Sequence, residues 1–264
     1  MIFNPITKLR DYYILRNNPI PQKLWINTIA KLPILKTLNI KDCQKLKKLT
    51  TLFLYKKTIT GVKGFELDDE KCLIITVQAC LPILNLDISY YDGWVEVVIY
   101  PDTFIVYRNI TDNFGLVHDT SSALSGEAWS KGPVILAWTD VERESFKIQQ
   151  GHNVVIHEFS HKLDMLNGRA NGMPPLHPNM HRQEWTESLS RAYDKLVNQI
   201  ENTRHTAINE YAATNPAEFF AVTSEYFFTA PDVLKECCPK VYKQLVLFYK
   251  QDHSSFTVKN KVSA

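Results

Sequence analysis

The chain has 264 residues, of which 45% are hydrophobic and 22% are charged, and its formal net charge is +2. This composition supplies enough apolar material for a large core and excludes a disordered chain. The near balance of acidic and basic residues creates no overall field that would favour nucleic acid or a membrane surface, so we expect neither as a direct partner.

Cysteine usage and hydropathy indicate a reducing compartment. The five cysteines are an odd number without a CxxC spacing, and the adjacent pair Cys237 and Cys238 cannot easily close an ordinary disulfide. In the first thirty residues, Asn, Pro, Lys and Arg interrupt every apolar run before it becomes long. Nowhere does an apolar run reach the roughly 18 residues of a membrane span. The sequence therefore predicts a cytoplasmic protein without a signal peptide or a transmembrane helix.

Helices are predicted in the N-terminal part of the chain. Residues 41–57 have the pattern of an amphipathic helix, with an apolar stripe formed by Leu46, Leu49, Leu52 and Phe53. Asp68 and Asp69 can open a second helix that is apolar on nearly all sides, as expected of a buried element. Pro82 then marks the last turn of that helix or a kink in it.

Strands are predicted in the middle of the chain. Residues 95–107 and 132–141 are β-branched and aromatic runs bounded by Gly, Pro and Asp, which is typical of strands. The polar, Gly/Ser-rich segment 112–131 between them fits a loop or a hairpin.

The pattern becomes helical again from Asn153. Residues 168–181, with three prolines, are predicted as a loop before a helix over 182–200. Two more helices are expected at about 216–228 and 231–250. Helices, then strands, then helices indicate the α+β class.

The stretch GHNVVIHEFSHKLDMLNG, residues 151–168, contains the HExxH spacing of zinc peptidases. In a helix, His157 and His161 lie one turn apart on one face, so their imidazoles can converge on a single ion. Glu158 is turned by about 100° from His157, beside the metal, where it can take a proton from metal-bound water. The alternative is a chance match in an ordinary helix.

A catalytic zinc site needs a third protein ligand and an open fourth position. The extended HExxHxxGxxH pattern is excluded, because Asp164 and Asn167 stand where it requires Gly and His. Asp164 lies on the face of the two histidines and could hydrogen-bond a ligand imidazole, or it could have a surface or capping role. His177 and His181 are weaker ligand candidates because they lie in the Pro-rich loop.

Two downstream glutamates are better candidates for the third ligand. Glu218 and Glu225 lie two helical turns apart in the segment 209–228, on roughly one face. Glu218 has a competing role, because Asn215 and Pro216 before it are typical of a helix start with a capping box. Glu225 could equally be the ligand or a solvent-facing residue. The residues alone leave both candidates open.

Four sequence blocks resemble the Mlc titration factor A family of bacterial zinc peptidases. They are HEFSHKLDMLNGRANGMPPL, YAATNPAEFFAVTSEYFF, LSGEAWSKGPVILAW and VQACLPILNL, and the match runs from about Trp25 to Tyr249 in the same order. The resemblance implies a cytoplasmic, gluzincin-like metallopeptidase with aminopeptidase activity. It also implies binding of the transcriptional repressor Mlc, which affects expression of the glucose phosphotransferase system.

The resemblance also implies a set of site residues. His157, His161 and Glu218 correspond to the zinc ligands, Glu158 to the general base and Tyr211 to the active-site tyrosine. It therefore selects Glu218 over Glu225 as the third ligand. A phenol beside zinc can donate a hydrogen bond to the oxyanion of the tetrahedral intermediate. Without the family, Tyr211 would be interpreted as a tyrosine packed at a helix start.

The implied fold is a single zincin-like metallopeptidase domain over residues 1–264. It combines a small mixed sheet and the HExxH helix with flanking helices at both ends. We expect an N-terminal helical part at about 1–60, a catalytic core at about 61–250 and a polar tail at 251–264. By analogy with zinc peptidases of this build, residues 124–138 form the substrate-binding edge strand and rim, or alternatively a plain core strand.

Two functions are compatible with these observations. The first is a zinc-dependent peptidase acting on a peptide substrate. The second is a non-catalytic protein that sequesters a repressor and carries a vestigial zinc site. The intact set of predicted site residues favours the first and permits a dual role.

Overall fold

A computed structural model of the chain describes residues 5–111, 117–124, 126–128 and 132–253. Helices dominate these ranges, and a small sheet lies between an N-terminal and a C-terminal group of helices in chain order. The structure confirms the predicted α+β class. None of the helices described combines the length and the hydropathy that crossing a membrane requires.

The N-terminal helices are α1 (Pro5–Asn17), α2 (Gln22–Lys31), α3 (Ile40–Lys56) and α4 (Asp69–Cys80). The predicted helix at 41–57 is confirmed as α3. The helix opened by Asp68 is confirmed as α4, since the Asp68 carboxylate accepts a hydrogen bond from the Lys71 amide at 2.7 Å. It ends at Cys80, ahead of Pro82, which has no amide hydrogen with which to continue the helical ladder.

Four short strands form the main sheet: β1 (Thr58–Gly61), β2 (Glu96–Tyr100), β5 (Gly126–Ala128) and β6 (Val134–Ala137). Their order is β1–β2–β6–β5. The first three are parallel, and β5 pairs antiparallel with β6 at one edge. Val97 and Val134 are partners in the register and both are fully buried, so the centre of the sheet lies in the core.

Strands β3 (Phe104–Thr111) and β4 (Val117–Leu124) pair antiparallel as a separate two-stranded unit. The prediction of one strand over 95–107 is therefore wrong, because the chain leaves the sheet after Tyr100 and the next strand starts at Phe104. Pro101 at the break cannot donate to a strand ladder. The hairpin alternative for 112–131 is confirmed where it is described; residues 112–116, 125 and 129–131 lie outside the described residues.

The prediction of a strand over 132–141 is wrong at its end. Strand β6 stops at Ala137, and helix α5 (Trp138–Phe146) begins directly after it. Trp138, Val141 and Ser145 are buried along this helix, while charged residues lie between them. Buried residues at this spacing have the period of a helix. The apolar run of β6 stands directly before them, and a stretch of sequence centred on that run does not show the helical period.

The second half of the chain contains α6 (Val154–Asp164), α7 (Arg182–Glu201), α8 (Pro216–Thr229), α9 (Pro231–Cys237) and α10 (Pro239–Tyr249). The helical predictions for the HExxH stretch, for 182–200 and for 216–228 are confirmed, and so is the loop at 168–181. The single helix predicted over 231–250 is wrong. It divides at Cys238, because Pro239 disfavours helical backbone in the residue before it.

An aromatic cluster packs against helix α6 around Phe159. The Phe159 ring lies 5.7 Å from Phe53, 5.1 Å from Tyr91 and 5.8 Å from Trp94 between ring centroids. The buried Lys162 Nζ lies 4.8 Å from the centre of the Trp94 ring and donates to the Gly132 carbonyl at 2.8 Å. These contacts fix α6 against the start of β6, so that the opposite side of α6 is available for a site.

The start of the expected polar tail is part of the core. Gln251 and His253 are buried, and Gln251 Nε2 donates to the Leu81 carbonyl at 3.0 Å. Tyr242 holds the same stretch by donating to Asp252 at 2.8 Å. Residues 254–264 lie outside the described residues.

Candidate metal centre

The start of α6 is fixed by Asn153. Its side-chain oxygen accepts from the Ile156 amide at 2.9 Å, and its side-chain nitrogen donates to Gln78 at 2.8 Å. Gly151, just before, has a φ of 72°, and a Cβ there would lie 2.2 Å from the Tyr226 ring. Only glycine fits this entry, which therefore sets where α6 begins and which of its side chains face α8.

Three side-chain donors converge between α6 and α8. His157 Nε2 lies 3.2 Å from His161 Nε2, and the Glu218 carboxylate oxygen Oε2 lies 3.0 Å from the first and 3.2 Å from the second. Tetrahedral zinc bonded at about 2.0–2.1 Å holds its ligand atoms about 3.3 Å apart. The donor types and their separations therefore fit a small divalent ion, and the structure assembles this group from residues 61 positions apart along the chain.

Glu218 does not cap its own helix. The side-chain oxygen of Asn215 accepts from the amides of Ala217 and Glu218 at 2.9 and 3.0 Å, and Pro216 occupies the first helical position. Asn215 thus supplies the cap alone, and the Glu218 carboxylate contacts the two histidines. The helix start that suggested a capping role for Glu218 therefore directs its carboxylate towards α6.

Glu225 contacts the other side of the His157 ring. Its Oε1 lies 2.8 Å from His157 Nδ1, and its Oε2 accepts from the Asn153 amide at 2.5 Å. Glu225 is buried, so the solvent-facing alternative is wrong, and it is not among the three converging donors. A carboxylate in this position holds Nδ1 as the protonated nitrogen and leaves Nε2 for a metal. The sequence spacing between Glu218 and Glu225 indicated that Glu225 lies near the histidines. It did not indicate which imidazole nitrogen Glu225 contacts.

The charges of these groups favour a cation. Burial lowers the pKa of His157, but Glu225 and Glu218 outweigh it, and the pKa is raised well above its usual value. Burial raises the pKa of Glu218, but hydrogen bonds from His157 and His161 outweigh it, and the pKa is held well below its usual value. Carboxylates thus surround the imidazoles, and either protons or a divalent ion can supply the compensating positive charge.

Glu158 and Tyr211 flank the donor group. Glu158 follows His157 on α6 and is only 4% exposed. Tyr211 lies on a short 3-10 turn, where the Asn209 side chain accepts from its amide at 2.9 Å. The Tyr211 ring centroid is 6.1 Å from that of His157, and the side chain is half exposed. The structure therefore brings both predicted catalytic residues beside the histidines.

The remaining candidates have structural contacts. Asp164 is fully buried and accepts from the amides of Asn171 and Gly172 at 2.8 and 2.7 Å, so it anchors the loop that follows α6. His177 Nε2 lies 2.7 Å from the Phe248 carbonyl. His181 is the residue before α7. Within the part of the chain that the structure describes, the metal-donor group consists of His157, His161 and Glu218 alone.

Comparison with known proteins gives a family for this chain. The model of the family described as "Glucose-regulated metallo-peptidase M90" matches residues 6–250. A protein of Escherichia fergusonii named Mlc titration factor A is 41% identical over 240 residues, which cover 90% of this chain and 88% of that protein. Proteins of the same name from Salmonella choleraesuis and Salmonella typhimurium are each 41% identical over 233 residues, covering 87% of this chain and 86% of theirs.

The contacts of Glu225 give a testable expectation. Glu225→Gln should weaken zinc binding by roughly 10- to 100-fold, because a neutral amide holds the His157 imidazole less well than a carboxylate. Competition with a chromogenic chelator measures this affinity. Glu187→Gln, a matched change of an exposed glutamate on α7, should bind zinc like the wild type. Wild-type zinc affinity in a folded Glu225→Gln protein would contradict the positioning role.

Proposed function

Since the chain belongs to the family of glucose-regulated metallo-peptidases M90, we propose that it is a zinc-dependent peptidase that cleaves peptide bonds with a metal-activated water. The observation that carries the proposal is the convergence of His157, His161 and Glu218 into one donor group. Two imidazoles and one carboxylate are a common ligand set of catalytic zinc, with the fourth position left for water or substrate.

The proposed mechanism divides the chemistry among residues of α6 and the turn before α8. His157, His161 and Glu218 would hold the zinc ion, which would polarise the scissile carbonyl and lower the pKa of water. Glu158 takes a proton from the attacking water and delivers it to the leaving amine. Tyr211 donates a hydrogen bond to the oxyanion that develops on the carbonyl, and such a donor contributes about 3 kcal/mol. The burial of Glu158 and the position of Tyr211 beside His157 support these roles.

Strand β5 is the proposed platform for an extended peptide. It is the last strand of the main sheet and has one pairing edge that faces no other strand in the part of the chain described. It also packs against α6, which carries the histidines. A peptide that adds to such an edge through main-chain hydrogen bonds lies along the metal helix. We propose aminopeptidase-type cleavage, which the family resemblance implies.

We further propose that this cytoplasmic peptidase binds an Mlc-type transcriptional repressor and modulates expression of the glucose phosphotransferase system. The name of the relatives, Mlc titration factor A, supports the partner. A purely repressor-sequestering protein is the alternative. The complete donor group, together with a buried Glu158 beside it, supports a working enzyme over a vestigial site.

The role of Glu158 is tested by Glu158→Gln. We expect kcat for a chromogenic aminoacyl substrate to fall by about 10²–10⁴-fold, because the general base is lost, while zinc content stays at the wild-type level. Glu142→Gln, at an exposed position of α5, is the matched control and should keep wild-type kcat. Wild-type turnover by the zinc-loaded Glu158→Gln protein would refute the mechanism.

The partner proposal is tested separately from catalysis. Glu158→Gln changes a side chain that is only 4% exposed, so the variant should capture purified Mlc repressor with wild-type affinity although its turnover is strongly reduced. Surface plasmon resonance with immobilised repressor measures this binding. If neither the wild type nor the variant binds the repressor, the partner is wrong and the peptidase proposal is unaffected.

A further inference from the structure

Gly172 joins the end of α6 to the start of α8. Asp164, the last residue of α6, is fully buried, and its Oδ2 accepts from the amides of Asn171 and Gly172 at 2.8 and 2.7 Å. On its other side Gly172 lies directly against the backbone of Pro216, because a Cβ at Gly172 would be only 2.5 Å from the Pro216 carbonyl oxygen. Pro216 is the first residue of α8, and Glu218 lies in the same turn. One short segment thus contacts both helices that carry the metal donors.

Gly172 is also held from the side of α7. The Trp185 indole nitrogen Nε1 donates to the Gly172 carbonyl at 3.0 Å, and the Trp185 ring packs against Phe220 of α8 with the ring centroids 5.9 Å apart. The φ of Gly172 is 77°, a backbone conformation that glycine adopts without steric cost. The amide, the carbonyl and the missing Cβ of this buried residue are therefore all used in packing, which leaves its position little freedom.

The two ends of the α6–α8 pair are connected by different contacts. Glu225, in the later part of α8, contacts the residues at the start of α6. Gly172 connects the end of α6 to the start of α8. The two helices therefore run in opposite directions, and the donor group lies between the connections. His161 lies in the last turn of α6 and Glu218 in the first turn of α8, so these two donors are nearest to Gly172.

We propose that Gly172, held by Asp164, is a positioning residue for the third metal ligand, Glu218. The absence of a side chain at Gly172 lets the first turn of α8 approach the end of α6, and this approach sets the separation between the Glu218 carboxylate and the His161 imidazole. This role rests on the proposed peptidase function, because it concerns the same donor group.

A side chain at residue 172 would change that separation. Real Cβ atoms stay more than 3.0 Å from other heavy atoms, so a Cβ at 2.5 Å from the Pro216 oxygen must move it away. Asp164 and Trp185 hold residue 172 on its other sides, so the shift falls on the first turn of α8. Glu218 Oε2 lies 3.2 Å from His161 Nε2. A metal site keeps its bond lengths to within about 0.2 Å, which is smaller than the step from 2.5 to 3.0 Å.

The first test is Gly172→Ala in the full-length protein, with zinc affinity measured by competition with a chromogenic chelator. We expect binding that is weaker by roughly 10- to 100-fold, the usual effect of losing a contact that supports a metal ligand. Gly64→Ala is the matched control, because Gly64 has the same φ of 77° but open space around the position of a Cβ. It introduces the same backbone strain without the clash and should bind zinc like the wild type.

A double-mutant cycle separates the positioning of Glu218 from a general loss of stability. In a Glu218→Ala background the two histidines are the remaining donors, and their weaker binding is measured by direct zinc titration. If Gly172 acts through Glu218, Gly172→Ala should change the zinc affinity of this background by no more than about twofold.

Asp164→Asn and Asp164→Ala test the same connection if Gly172→Ala does not fold, which its melting temperature shows. Both variants remove the charge of Asp164, but only asparagine keeps an oxygen that can accept from the Gly172 amide. The alanine variant should therefore bind zinc about 10-fold more weakly than the asparagine variant.

Three results would overturn the positioning role. They are wild-type zinc affinity in folded Gly172→Ala, an equal loss of affinity with and without Glu218, and equal affinities of the two Asp164 variants. Each of them leaves the proposed peptidase intact if the wild type binds zinc and cleaves peptides. A wild type that binds zinc but cleaves no peptide would refute the peptidase and leave the positioning role in place.

Discussion

The arrangement of the centre depends on the buried carboxylate of Glu225. One of its oxygens contacts His157 Nδ1, and the other accepts from the Asn153 amide at the start of α6. A single side chain of α8 therefore fixes both where α6 begins and how its first histidine is turned. Glu218, two turns earlier on α8, then meets the opposite nitrogen of the same imidazole. Without this link, each helix could still form, but their donors would not share one point.

The same contacts place several carboxylates around two imidazoles in a largely buried region. Glu158, Glu218 and Glu225 all lie within the surroundings that shift the pKa of His157. Buried carboxylates are unfavourable unless a positive charge compensates them. A divalent ion held by His157, His161 and Glu218 would supply that charge, and its binding would then be coupled to the stability of the α6–α8 pair.

Much of this site could be predicted from local sequence patterns. The HExxH spacing and the helical pattern that begins at Asn153 located His157, Glu158 and His161 on one helix. The choice of Glu218 needed the family resemblance, because a glutamate at a helix start is compatible both with helix capping and with metal binding. The role of Glu225 was missed, since it depends on which imidazole nitrogen faces α8. The strand break at Pro101 and the helix break before Pro239 were signalled by proline, but the apolar runs around them hid both.

The central claim is that α6 and α8 together hold one catalytic zinc ion through His157, His161 and Glu218. Elemental analysis of the purified wild type and of Glu218→Ala, after dialysis against a weak chelator, tests it most directly. The account predicts one zinc per wild-type chain and loss of that zinc in the variant, with both proteins folded. Equal zinc content in the two proteins, or a fully active wild type without metal, would contradict it.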